Sequence, residues 1–98
     1  MKNLKAIKKV LARHKKEIQQ RYKVKEIGVF GSYVRKEQNR KSDIDISVEF
    51  ETGFETFDNY MDLKFCLEEL ISLKVDLVVK DAIRKELRES ILAEMVYV

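Results

Sequence analysis

Hydrophobic positions recur along this chain at two spacings, and the changes between them divide it into elements. Over residues 3–20, Leu4, Ile7, Leu11 and Ile18 fall on one helical stripe, with Val10 beside it and His14 completing the spacing. Asn3 suits the N-cap, because its side-chain oxygen can take an unpaired N–H of the first turn. Residues 24–30 read as a strand ending in Val29-Phe30, directly before Gly31. A helix of less than two turns is expected over 32–37, and Gln38-Asn39-Arg40-Lys41 returns the chain to a second strand at 43–50. There the alternation is strict. Ile44, Ile46, Val48 and Phe50 face one way and Asp43, Asp45, Ser47 and Glu49 the other, the period of a half-buried strand. So short a link points to antiparallel neighbours, with a helical crossover as the alternative.

After a break at Gly53, residues 56–72 carry helical spacing again. Tyr60, Leu63, Leu67 and Leu70 form its stripe, Met61, Phe65 and Ile71 widen it, Thr56 can cap it, and Cys66 behaves as a small, partly buried hydrophobe. A third strand is expected over 74–80, where Val75, Leu77 and Val79 alternate with Lys74, Asp76 and Lys80. Asp81 is then the expected N-cap of a last helix at 82–95, with Ile83, Leu87, Ile91 and Met95 at four-residue intervals. Val96-Tyr97-Val98 is apolar enough to tuck against the body or a partner. The order αβαβαβα predicts an α+β domain whose small mixed sheet is covered by helices mainly on one face. The other face would carry Asp43, Asp45 and Asp76.

Composition narrows the class. Residues 1–98 suit a single domain, and 45% hydrophobic residues with clear periodicity exclude a disordered chain. Cys66 is the only cysteine, which rules out an internal disulfide and a cysteine-based zinc site and suits a reducing, cytoplasmic setting. No apolar run approaches the roughly 18 residues of a membrane span. Met1-Lys2-Asn3 opens a polar helix rather than a signal peptide. The first 25 residues hold ten Lys or Arg against one acid, Glu17. Such a helix can attract nucleic acid, but it lacks the interleaved aromatics on which bases stack, so a solvated face is the simpler reading. His14 is expected to pack and is given no catalytic role.

The chemistry concentrates between Phe30 and Phe50. Aspartate is depleted in strands, and two on one face, about 7 Å apart by strand rise, repel unless a cation lies between them. Carboxylate oxygens are what Mg²⁺ takes as ligands. An Asp-x-Asp alone is more often the solvated side of a strand. Gly31-Ser32 changes that balance, since glycine lets backbone approach a ligand and the following N–H groups favour an anion. A phosphate cradle and a carboxylate pair are two halves of a nucleoside-triphosphate site.

Gly31-Ser32, ten intervening residues and Asp43-x-Asp45 resemble the signature of the DNA polymerase beta-like nucleotidyltransferases. The short length resembles their minimal members, the MNT-type antitoxins paired with HEPN-domain toxins. At one position the chain departs: Lys36 follows the motif arginine, Arg35, where the family usually has glycine. The resemblance directs attention to a third carboxylate on a neighbouring strand, Asp76, which by itself would read as a surface residue paired with Lys74 or Lys80.

Taken together, Asp43, Asp45 and Asp76 are the candidate catalytic and metal-binding residues for two Mg²⁺ ions, or Mn²⁺, with Asp76 also the candidate general base. Gly31, Ser32 and Arg35 are the candidate nucleotide-binding residues; Arg35 either adds charge near the phosphates or, as preferred, anchors the short helix. The resemblance implies transfer of AMP from ATP to a tyrosine of a HEPN toxin, making the chain the antitoxin of a type VII toxin–antitoxin pair. Two alternatives stand beside it: an antitoxin that works by contact with a vestigial site, and a basic RNA-binding module.

Overall fold

A computed structural model of the chain describes residues 3–98; Met1 and Lys2, which open the expected polar start, lie outside the described residues. The elements run α1 (Leu4–Tyr22), β1 (Val24–Phe30), α2 (Ser32–Arg35), β2 (Ile44–Phe50), α3 (Phe57–Ile71), β3 (Val75–Val79), a 3-10 turn (Lys80–Ala82), α4 (Lys85–Glu94) and β4 (Val96–Tyr97). The strands form one mixed sheet in the order β3-β2-β1-β4. β1 and β2 are antiparallel neighbours, as the short link predicts. α3 carries the chain over to β3, which runs parallel to β2, and β4 adds antiparallel to the far side of β1.

Local chemistry accounts for the two long helices. The Asn3 side chain accepts the Ala6 N–H at 2.9 Å, and the chain leaves α1 through Lys23 in a left-handed conformation. Thr56 Oγ1 accepts the Asn59 N–H at 3.2 Å at the start of α3. Ile7, Leu11 and Ile18 of α1 and Leu63, Leu67 and Ile71 of α3 bury their side chains against the β-strand residues Ile27, Val29, Ile44, Ile46, Val48, Val75 and Leu77. Each such side chain contributes roughly 1.5–3 kcal/mol of transfer free energy, so the sheet is a rigid platform. An irregularity in pairing between Val24 and Glu26 slips the alternation by one, which lets Val24 and Ile27 both reach the core. Among the described residues, no helix is long and apolar enough to cross a membrane.

The last quarter of the chain departs from expectation. Asp81 caps nothing: it lies in the 3-10 turn, and Ile83 and Arg84 are extended, which delays α4 to Lys85. Arg88 Nη2 closes this connection by donating to the carbonyls of Asp81 and Ile83 at 3.3 and 3.1 Å. The stripe Ile83, Leu87, Ile91, Met95 is not a core face. Ile83 is buried but precedes the helix, Leu87 is 51% exposed, and no residue of α4 is buried. On α3, Phe65 also turns outward, because Leu63, Leu67 and Ile71 already fill the face toward the sheet. The apolar end of the chain does tuck against the body, as strand β4.

Candidate active site

Strand directions bring four segments to one end of the sheet. β1 finishes there at Phe30, β2 and β3 begin there, and so does β4. In the parallel pair, Asp45 stands directly opposite Asp76, and across the antiparallel pair it stands opposite Phe30, the residue before Gly31. The two aspartates and the glycine loop are therefore neighbours through register, although Asp76 lies 31 positions after Asp45 in sequence.

Gly31 has φ +82 and ψ −151, a region in which side chains are strained. The reason for glycine is also spatial: a Cβ there would collide with Asp45 Oδ2 and stand 2.9 Å from its Cγ. α2 begins at Ser32, and no hydrogen bond among the described residues occupies the Ser32 N–H or hydroxyl. Lys36, at the end of α2, takes φ 61 and ψ 36. That is the left-handed geometry for which glycine is preferred, so the departure at this position falls where a side chain costs strain rather than where it would touch the carboxylates.

Asp45 is half-buried, while Asp43 and Asp76 are exposed. Burial raises the Asp45 carboxyl from its ordinary 3.8 to about 6, helped by the Asp76 charge and a hydrogen bond to Asp76, opposed by Arg35 and aided slightly by Asp43. A carboxylate that resists ionisation for these reasons is one that a cation would relieve. Asp43 lies one position before the strand, and among the described residues no group of three or more His, Cys, Asp or Glu side chains is already drawn together around a common point. Thus Asp45 and Asp76 meet, and Asp43 contributes through its charge.

Two residues outside the expected set shape this end of the sheet. Tyr33 is buried, its hydroxyl donates to the Ser42 carbonyl at 3.5 Å, and burial followed by the Asp43 charge raises its pKa. It ties α2 to the turn Asn39–Ser42, in which Ser42 Oγ accepts the Asn39 N–H at 2.9 Å. Glu94, the last residue of α4, accepts the Gly31 N–H at 2.9 Å and pairs with Arg35 Nη1 at 3.0 Å. Arg35 also pairs with Glu37 at 3.3 Å, and these acids raise its pKa further. The glycine's own N–H is therefore taken by Glu94, and Arg35 anchors the short helix. A depression of about 400 Å³ opens beside Asp43, lined by Arg40, Lys41, Ser42, Ser72, Leu73 and Lys74.

The geometry is thus a pair of apposed aspartates on adjacent strands, next to a Gly-Ser turn into a short helix. The chain belongs to the nucleotidyltransferase domain family, whose profile matches residues 11–98. It is 44% identical to the protein adenylyltransferase MntA of Thermococcus cleftensis over 98 residues, covering all of this chain and 98% of that protein. Its fold is similar to a solved candidate minimal nucleotidyltransferase (TM-score 0.75, 33% identity), covering 92% of this chain and 93% of that one. It is similar in fold alone to a chain from the complex of a tri-AMPylated Shewanella oneidensis HEPN toxin with an MNT antitoxin. That match has a TM-score of 0.65 and 19% identity, over 93% of this chain and 70% of that one.

Proposed function

We propose that this nucleotidyltransferase moves AMP from ATP to a tyrosine hydroxyl of a HEPN-domain toxin and thereby acts as its antitoxin. The observation that carries this reading is the apposition of Asp45 and Asp76 beside the Gly31–Ser32 loop. Its acceptor class is supported by the name of the Thermococcus cleftensis relative and by the AMPylated toxin in the complex of similar fold.

The donor set fits a divalent cation: Asp45 and Asp76 would hold it, with Asp43 as a further carboxylate at the exposed start of β2. Bound there, Mg²⁺ or Mn²⁺ would offset charge on the phosphates and on the attacking and leaving oxygens. The chain's own groups do the rest. Ser32 offers its N–H and hydroxyl to the terminal phosphates. The tyrosine oxygen forms a bond to the α-phosphorus as the bond to the β-phosphate oxygen breaks, and pyrophosphate departs with that electron pair. Asp76, exposed at the mouth of the site, accepts the phenolic proton.

A contact-only antitoxin is favoured by one observation, the absence among the described residues of three carboxylates already converged. One experiment separates the two. The protein is incubated with α-labelled ATP and Mg²⁺, with and without the candidate toxin, and intact masses are measured. AMP added to the toxin by the wild type and not by Asp43→Asn or Asp45→Asn is the expected result. A stable complex that silences the toxin with no added mass would overturn the transferase reading.

A further inference from the structure

Glu94 receives two groups from the loop that the proposed reaction assigns to the nucleotide. Its Oε1 accepts the Gly31 N–H at 2.9 Å, and Arg35 Nη1 donates to both carboxylate oxygens at 3.1 and 3.0 Å. One carboxylate thus grips the residue before α2 and the last residue within it. A helix of four residues cannot hold itself, because the first turn fixes several torsions for very few hydrogen bonds. Here the N–H groups of Val34 and Arg35 to Gly31, and of Lys36 and Glu37 to Ser32, bind it internally. Something outside has to fix its orientation.

The C-terminal strand delivers that anchor. Val96 and Tyr97 pair with Val29 and Gly28, and the Val98 N–H donates to the Ile27 carbonyl at 3.0 Å. Met95 lies over Gly28, where a Cβ would come within 2.6 Å of its sulfur and 2.8 Å of its Cγ. The glycine in the middle of β1 is thus the seat of Met95, and seating Met95 brings the preceding residue to the loop. Glu94 keeps only 23% of its side chain exposed. Charge-assisted hydrogen bonds held in that setting are among the stronger ones a protein makes.

We infer that Glu94 is a positioning residue for ATP binding: it fixes the Gly31 peptide and the Arg35 guanidinium so that the Ser32 N–H and hydroxyl are held ready for phosphate. The inference rests on the nucleotidyltransferase reading of the loop. Its carboxylate touches neither the nucleotide nor the reacting atoms. It acts through Gly31 and Arg35, and the four residues after it, 95–98, act through it.

The test uses the full chain. ATP affinity is measured by calorimetry with and without Mg²⁺, and KM and kcat are measured with the toxin as acceptor, for wild type, Glu94→Gln and Glu94→Ala. Glu94→Ala is expected to weaken ATP binding about tenfold, the loss of a charge-assisted bond, and to raise KM equally with kcat little changed. Glu94→Gln, which keeps an acceptor for the Gly31 N–H, is expected to recover roughly a third to a half of that loss on a logarithmic scale, and it carries the test where the alanine variant does not fold. Unchanged or tighter ATP binding by a folded Glu94 variant would overturn the inference and leave the transferase reading intact. A wild type that binds no ATP would overturn both.

Discussion

At neutral pH the Asp45 carboxylate is ionised in a position that resists ionisation, and the protein folds in spite of it. Asparagine at this position keeps the shape, offers Asp76 an N–H in place of the acid's O–H, and removes the charge. Its effect can be worked out. The interval from 3.8 to about 6 corresponds to roughly 3 kcal/mol at about 1.36 kcal/mol per pH unit. Asp45 is only half-buried, so screening by water reduces this to about 1–2 kcal/mol.

The sign follows from proton counting. Below the unfolded value the group is protonated in both states and costs nothing. Between the unfolded and folded values the native state binds more protons, so stability falls as pH rises. Above about 6 the penalty is constant. Asp45→Asn should therefore be the more stable protein at pH 7.5 without metal, by a melting temperature on the order of 5–10 °C. The gain should shrink towards zero near pH 4, and Mg²⁺ should narrow it by stabilising the wild type alone. Thermal and urea unfolding at both pH values, with and without Mg²⁺, measure all of this. An equal or lower stability of Asp45→Asn at pH 7.5, or a gain as large at pH 4, would refute the reasoning.

Three further outcomes follow from backbone geometry and packing. Gly31→Ala should cost about 2–4 kcal/mol, combining an unfavourable φ with a collision at Asp45, and should lower ATP affinity; urea unfolding and calorimetry check it. Lys36→Gly should stabilise by about 0.5–1 kcal/mol with no change in ATP affinity, because it relieves a left-handed side chain at the end of α2, and denaturant midpoints will report it. Leu67→Ala, at the centre of the α3 face against the sheet, should cost about 2–5 kcal/mol in the same measurement.

How much of this was legible in the sequence depends on the distance over which each feature is decided. The helix α1 with its Asn3 cap, the Thr56 cap and the alternation of β2 are local, and each is visible from a few neighbouring residues. Adjacency of β1 and β2 followed from the short link between them. The opposition of Asp45 to Asp76 is a matter of register across a helical crossover. Alternation shows on which face each aspartate lies, but not that they share a row. Phe65 and Leu87 fit helical stripes and yet lie outside, because a stripe wider than the available core leaves its margin in solvent.

The anchor at the C-terminus was hidden for a different reason. Read as a helix, residues 82–95 place Glu94 among the polar positions, and a two-residue strand is too short to leave a period. Its trace was in β1: an unexplained glycine inside an apolar strand marks close approach by another segment. Gly28 is that mark, and Met95 is what approaches. Glycines therefore report this site twice. Gly31 leaves room for the carboxylate of Asp45, and Gly28 leaves room for the methionine that brings Glu94 to the same loop. The first could be read from its motif; the second had no motif around it. The Gly31–Ser32 loop is thus held between the second strand and the last, so a truncation that removes only residues 94–98 should act at the proposed phosphate end of the site while leaving the α1–α3 core against the sheet in place.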